Sequence, residues 1–585
     1  MTQIALPRPA PAADAGPLDG RFWDLVEERF RRIVRTQPTF ATYVGIHTED
    51  DRLPDGERDA VLAEIAEERA HLAAVESLDD AGLSPAVRFE RDLERNNVRR
   101  ALFDLETHRV WERRSTAMDA IGDGLFLLFA RDFAPLAERL ESMTSRLEEV
   151  PFFLDASRSR LVGTPVRLWQ ELEIEACEDL PGLFAEIRAA GSGALDLIGT
   201  VRLGKAIDRA NEALEEYAGW LRGTLARATD DWALGSERFD ELVALRAFDG
   251  LDADAILAIG EEQLRANREA RVRTAREIDP SVDEATVVDR VKSDHPATFD
   301  EALEEYRAVM LRARTHLIEH DIVTVPADER IAVVVTPAYL RNVIPFAAYF
   351  EPPKFDAHPS GIYVVTPSVD GDPGAMREHS RSSMSNTSVH EAYPGHHLQL
   401  SVASRHPSLV RLTTDAPEFV EGWGMYSEQM MREEGFDAGP DFRLTMYTDA
   451  IWRACRIVLD VRMHRGELTV DEATRFLVEN TSFEAPNARA EVHRYTYTPT
   501  YQLSYLLGKV LILQLREDER RRLGAAFSLR DFHDTLLRNG SLPISFQRRL
   551  LRESAAGSAW AAAALPSGAA PATGALGATR PPGAR

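Results

Sequence analysis

The stretch His390-Glu391-Ala392-Tyr393-Pro394-Gly395-His396-His397 limits what this 585-residue chain can fold into more than any other part of it. Three imidazoles and one carboxylate share eight positions, and a Pro-Gly pair stands among them. The residues before it read as helix. Proline removes the hydrogen bond back to residue 390 and pushes the backbone off line, while glycine supplies free φ/ψ. On an unbroken helix, a residue six places on points about 120° away from His390, and one seven places on lies about 10 Å further along the axis. A helix with a two-residue bulge at Pro394-Gly395 is therefore expected, one that swings His396 back over His390.

These residue types point to hydrolysis at a metal. Neutral imidazoles hold Zn²⁺ and leave a coordination position open. The ion lowers the pKa of a water to roughly 7, and a neighbouring carboxylate takes the proton. The common spacing, His-Glu-x-x-His with both ligands on one helix face, fails here because position 394 is proline. His390 is thus a candidate ligand and Glu391 a candidate general base, with His396 or His397 as the second imidazole.

His-Glu-x-x-Pro-Gly-His, followed downstream by Glu421-Gly422-Trp423, resembles the bacterial DUF885 family, which is grouped with gluzincin-type metallopeptidases and is mostly helical. That family's motif ends on the first histidine after Pro-Gly, which favours His396 as ligand and keeps His397 in reserve. A gluzincin site takes its third ligand from a glutamate on the following helix. Glu421, 25 residues after His396, holds that place, with Glu418 as a weaker alternative. Glu428, two helical turns beyond Glu421, is expected to orient a ligand imidazole. Residues 37–46 and 252–260 are also similar to family segments. So is the run 491–509, except that Pro499-Thr500-Tyr501-Gln502 stands where the family has Pro-Gly-Gln, with the glycine missing and the register slightly shifted. Within this run Tyr505 first, and His493 second, are candidate donors to an oxyanion. Arg494 is a candidate for binding a substrate carboxylate through its planar fork.

Apolar residues recur at helical spacing over 21–34, 57–75, 84–108, 117–148, 180–190, 205–230, 253–277 and 298–320. They do so again over 443–466, 470–480, 500–522, 529–538 and 543–553. Pro165, Pro181 and Pro280 fall at or near the boundaries, as helix punctuation should. Residues 330–335 and 361–366 are β-rich and bounded by proline and glycine, so they read as strands. As an edge strand, 361–366 would offer main-chain hydrogen bonds to an extended peptide. The expected fold is mainly α: a large helical, bilobed, zincin-like fold with a small β-sheet beside the metal helix. Residues 19–554 form one metallohydrolase domain in this reading, with a helical lobe at 19–320 and a lobe of sheet and metal site at 321–554. The segment 1–18 is rich in proline and alanine, and 555–585 is Ala, Gly and Pro with almost no large apolar side chains. Both are expected to be disordered.

The formal charge of −26 argues against nucleic acid or an anionic membrane as a partner. Two cysteines, Cys177 and Cys455, make no disulfide framework. Residues 1–9 carry no basic, apolar leader, and no apolar run approaches a membrane span, so a cytoplasmic location is expected. There is no Gly-x-Ser-x-Gly elbow and no glycine-rich phosphate loop. The sum predicts a zinc-dependent hydrolase of peptide bonds, its substrate a peptide or a small amide. Two rivals stand beside it. One is an amide or isopeptide hydrolase acting on a non-standard substrate in a biosynthetic pathway, suggested by the altered 499–502 run. The other is a non-catalytic zinc-stabilised binding protein, against which Glu391 speaks.

Overall fold

Helical periodicity becomes helix almost everywhere in the computed structural model of the chain. It describes all residues except 1–5, 12, 337–340, 342–343, 345, 357–358, 368–374, 482 and 555–585. The tail expectation at 555–585 thus lies outside the described residues.

Four helices, Ala117–Ala130, Leu136–Ser157, Arg167–Ala194 and Leu197–Thr224, pack around one apolar core that holds Leu140, Leu147, Phe184, Leu214 and Leu221. The last two helices are separated by a cap: Asp196 Oδ1 accepts from the Gly199 N–H at 2.7 Å and starts the second helix. Pro181 does not mark a boundary, contrary to expectation; the Arg167–Ala194 helix runs through it. A proline costs a helix one backbone hydrogen bond. Here the turns on both sides stay packed, with Trp169, Glu173 and Cys177 buried before it and Phe184 and Ile187 after.

A second, larger core carries the site. It gathers the helices Ala253–Ile278, Phe299–Glu319, Arg381–Glu391, His396–Ala403, Pro417–Glu433, Pro440–His464 and Ser504–Leu523. The helices Ala253–Ile278 and Phe299–Glu319 belong to this core, not to the bundle, so the packing does not divide at residue 320. The two apolar clusters part between Leu221 and Trp232, with Phe103, Val166 and Trp169 reaching across to the second. Two site helices meet backbone to backbone. A Cβ on Gly422 would lie 2.5 Å from the Gly508 carbonyl carbon, and one on Gly508 would lie 2.0 Å from the Glu418 carbonyl oxygen. Only glycines permit this crossing.

The sheet has three strands, β1 (Ile331–Val335), β2 (Ala347–Phe350) and β3 (Gly361–Val365), in the order β1-β3-β2. β1 runs parallel to β3 and β2 antiparallel to it. The expectation that 361–366 is an edge strand is therefore corrected: β3 is central, and its main-chain groups are taken on both sides.

The N-terminal segment also departs from expectation. Among its described residues, Leu6 and Leu18 pack on a cluster built by the first helix, Asp19–Thr36, and by Leu409, Val410 and Leu542. Arg8 donates to Asp24 Oδ1 at 3.0 Å and to the Gly20 carbonyl at 2.9 Å. Proline and alanine supply little apolar area, but two leucines and one arginine suffice to dock the segment. Among the described residues no helix is long and apolar enough to cross a membrane. Cys177 and Cys455 are buried and unpaired.

Candidate metal centre

Ser380 starts the His390 helix by accepting from the Ser383 N–H, and the helix ends at Glu391. The expected bulge is a complete break, after which a new helix begins at His396. The Gly395 N–H donates back to the Val389 carbonyl at 3.0 Å. A Cβ at Gly395 would sit 1.7 Å from the His390 carbonyl oxygen, so the chain can fold back this tightly only with glycine there. The Glu421 helix, Pro417–Glu433, pins the break: Trp423 Nε1 donates to the Pro394 carbonyl at 2.8 Å. The outcome is two imidazoles set at right angles, with ring centroids 4.7 Å apart.

Glu421 meets both. Its Oε2 lies 3.5 Å from His390 Nε2 and 3.4 Å from His396 Nε2. One ligand atom from each residue falls within 4.8 Å of the others. Tetrahedral coordination with bonds of about 2.0–2.2 Å places neighbouring donors roughly 3.3–3.5 Å apart, the spacing seen here. Two imidazoles and a carboxylate also form a donor set that suits zinc. The site therefore fits such an ion. Glu428 orients the first imidazole, its Oε1 lying 2.7 Å from His390 Nδ1, which turns Nε2 toward Glu421. Asn386 Nδ2 in turn donates to Glu428 Oε2 at 3.1 Å and to Asp449 Oδ2 at 2.8 Å. A Cβ at position 424 would strike the His390 ring at 2.6 Å, so Gly424 makes room for the ligand. Burial opposes charge on both Glu421 and His390. The facing partners override it: the His390 and His396 imidazoles hold the Glu421 carboxyl well below its usual range, and Glu421 with Glu428 lifts His390 to about 10.

Glu391 is the last residue of the His390 helix and is half-buried. Among the described residues no hydrogen bond or ion pair engages its carboxylate. Its neighbours are all engaged: Glu421 and Glu428 with imidazoles, and Glu418 with Arg246 Nη2 at 2.7 Å. That last pair is buried on both sides and removes Glu418 as an alternative ligand. His397, the reserve ligand, faces away. Its Nε2 lies 2.7 Å from Glu329 Oε2 and its Nδ1 2.9 Å from the Tyr349 hydroxyl. One step along a helix turns a side chain by about 100°, so His396 and His397 cannot both face the same point.

Tyr505 was the expected oxyanion donor, yet the tyrosine that touches the triad is Tyr501. Its hydroxyl donates to Glu421 Oε1 at 3.1 Å and lies 3.3 Å from the Tyr505 hydroxyl. The Glu421 charge, followed by burial, raises the Tyr501 phenol far above its usual range. Burial, then Glu421, pushes Tyr505 up to about 12. Both therefore stay protonated near neutral pH and can donate. The turn before them is strained. Thr500 sits at φ +66°, a region a β-branched residue rarely adopts. It is held there by its N–H to Asp460 Oδ2 at 2.8 Å and by Arg246 Nη1 on its hydroxyl at 3.2 Å.

The structure does not bring His493 to the triad. The buried stripe of its helix, Ala485–Tyr495, is Ala488, Val492 and Tyr495, and His493 falls off it. Its carbonyl accepts from the Thr496 hydroxyl and N–H. Arg494 does reach the site's edge, its guanidinium 6.0 Å from the Tyr501 ring centre.

A family model described as bacterial protein of unknown function, DUF885, matches residues 38–551. Two solved structures share the fold. One, from Shewanella oneidensis and described as a lipoprotein of unknown function, is 22% identical with a TM-score of 0.74, covering 91% of this chain and 99% of that one. The other, from Colwellia psychrerythraea and also described as a lipoprotein, is 17% identical with a TM-score of 0.81, covering 92% and 99%. No curated protein matches the chain. Both descriptions run against the cytoplasmic location expected from residues 1–9, and that expectation is corrected.

Proposed function

Because this chain belongs to the DUF885 family of bacterial proteins, whose function is unknown, we propose for it a metal-dependent hydrolysis of peptide bonds. The proposed centre has a gluzincin-type donor set: His390, His396 and Glu421 holding zinc. The observation that carries the reading is the triad itself: Glu421 stands one tetrahedral edge from each of the two imidazoles, all three donors lie within 4.8 Å of one another, and the carboxylate of Glu391, next in sequence to His390, is unengaged among the described residues. When bound, such an ion supplies Lewis acidity toward a carbonyl oxygen and makes water acidic enough to ionise near neutral pH. The chain's own groups do the rest. A Glu391 carboxylate oxygen takes a proton from the attacking water as its oxygen bonds to the carbonyl carbon. The same oxygen then gives that proton to the leaving nitrogen as the C–N bond breaks. The Tyr501 hydroxyl, with Tyr505 behind it, turns its one proton from Glu421 Oε1 to the oxyanion that forms between these steps.

The decisive experiment pairs metal analysis with Glu391→Gln. The parent should take up one zinc per chain and cleave members of a di- and oligopeptide library. The variant should keep the zinc and the melting temperature while losing about 10²-fold or more in rate. Equal rates in parent and variant would remove Glu391 from the chemistry. A chain that takes up no divalent ion would end the metal reading.

A further inference from the structure

One wall of the site is basic in a molecule whose formal charge is −26. Arg453 and Arg456 come from the helix Pro440–His464, and Arg494 from Ala485–Tyr495. All three stand against the tyrosines that lead to Glu421. The Arg456 guanidinium lies 4.7 Å from the Tyr505 ring centre, Arg453 lies 5.9 Å from the same ring, and Arg494 lies 6.0 Å from that of Tyr501. The carboxylates that answer them are few. Arg456 and Arg494 both donate to a single oxygen, Glu491 Oε2, at 2.9 Å, and the Tyr495 hydroxyl shares it at 2.8 Å. Arg453 has Asp449, at 3.8 Å, and its buried Nε has no partner. Arg456 is buried and pins Glu491 and Tyr495 in place. Arg494, by contrast, keeps a third of its side chain open to solvent, and Arg453, its guanidinium 3.8 Å from the Trp452 ring centre, keeps 18% open. Each of these two planar forks keeps donors for a guest.

The geometry points to a carboxylate subsite on this wall, where Arg494 and Arg453 hold a carboxylate of the substrate close to the bond being cut. The inference rests on the hydrolase reading above. An extended chain advances about 3.3–3.6 Å per residue, and the wall begins one tyrosine away from the ligand glutamate. The carboxylate held there belongs one or two residues from the cleaved bond, and on its C-terminal side if it is the chain terminus. Guanidinium forks match carboxylates in a bidentate way that a lysine does not. The carboxylate has two possible sources, the chain terminus or an acidic side chain next to it.

Three probes separate the outcomes: Ala-Ala-Ala, its C-terminal amide, and Ala-Ala-Glu amide. Each is titrated calorimetrically into the full-length chain and, separately, followed for cleavage. The free acid should bind at least about tenfold more tightly than the neutral amide, as expected for a charge-assisted bidentate contact. Arg494→Gln and Arg453→Gln should each shrink that preference, and Arg494→Lys should restore part of it, with circular dichroism confirming that the variants fold. If Ala-Ala-Glu amide binds like the free acid, the subsite takes a side-chain carboxylate; if it binds like the neutral amide, the subsite takes the chain terminus. Equal affinities for all three peptides overturn the subsite even if all are cleaved, as does a preference that survives both arginine changes. A clear preference without cleavage of any peptide leaves the subsite standing and removes the hydrolase reading.

Discussion

Two carboxylates are buried in this molecule under opposite terms. Glu173, in the apolar bundle, accepts from the Ser115 hydroxyl at 2.9 Å and the Met118 N–H at 3.0 Å, with the Arg114 guanidinium no closer than 3.6 Å. Burial dominates, and its carboxyl is pushed up to about 7. Glu428, in the site core, is also buried, but the hydrogen bond and charge of His390 hold it below its usual value. The bundle keeps its acid close to neutral with uncharged partners and rests on apolar packing. Around the triad the site core keeps Glu421 and Glu428 charged and depends on their partners being present, while burial pushes Asp449 of the same core up to about 6. Stability in the first region is a matter of volume, and in the second a matter of complete ion pairs.

The sharpest way to break this contrast is Arg246→Met. It leaves Glu418 buried without its cation, which should cost about 3–5 kcal/mol in chemical denaturation. Because Arg246 also holds Thr500 and Ser504, zinc uptake should weaken in the molecules that still fold. A loss below about 1 kcal/mol would show that the site core does not depend on paired charge. Next comes Leu214→Ala in the bundle core. It should cost about 3 kcal/mol and leave zinc stoichiometry at 25 °C untouched, since the triad lies in the other core.

Glu173→Gln tests the neutral acid. With its folded pKa raised to about 7 from an ordinary 4.5, the parent's carboxyl contributes stability that is full below pH 4.5 and is lost as pH rises through 7. The variant has no such dependence. Its stability relative to the parent should therefore climb between pH 4.5 and 7 by roughly 2–3 kcal/mol, read from denaturation midpoints across that range. A flat difference would mean that Glu173 is not buried as described. The smallest effect is expected at the strained turn. Thr500→Asn tolerates positive φ while keeping a polar side chain, and should gain about 0.5–1 kcal/mol, visible as a higher melting temperature.

Local spacing made the helices legible nearly throughout, because a packed amphipathic stripe is written in the residues that form it. The small sheet was legible as two strands, but not the order that places β3 between β1 and β2; strand order depends on Ala347–Phe350, a four-residue strand with little pattern of its own. In the site, the motif marked His390 and Glu391, and the family resemblance pointed to Glu421. What spacing left open was settled by partners far away in sequence. Glu329 claims His397 and Arg246 claims Glu418, and neither claim can be read from neighbouring residues. Tyr501 and Tyr505 stand one helical turn apart, so periodicity cannot rank them; the Thr500 turn does, by setting the first against Glu421.

The tight return of the chain at residue 395 reaches beyond this one molecule. A side chain there would collide with the carbonyl of the first ligand, and one at residue 424 would collide with that ligand's ring. Neither glycine carries a functional group, so neither would be chosen as a marker of chemistry. Yet a descendant that has replaced either has given up the pairing of the two imidazoles, whatever it still keeps of the histidines. Among sequences of this kind, the presence of both glycines separates chains able to set the two imidazoles together from those that preserve only the letters of the motif.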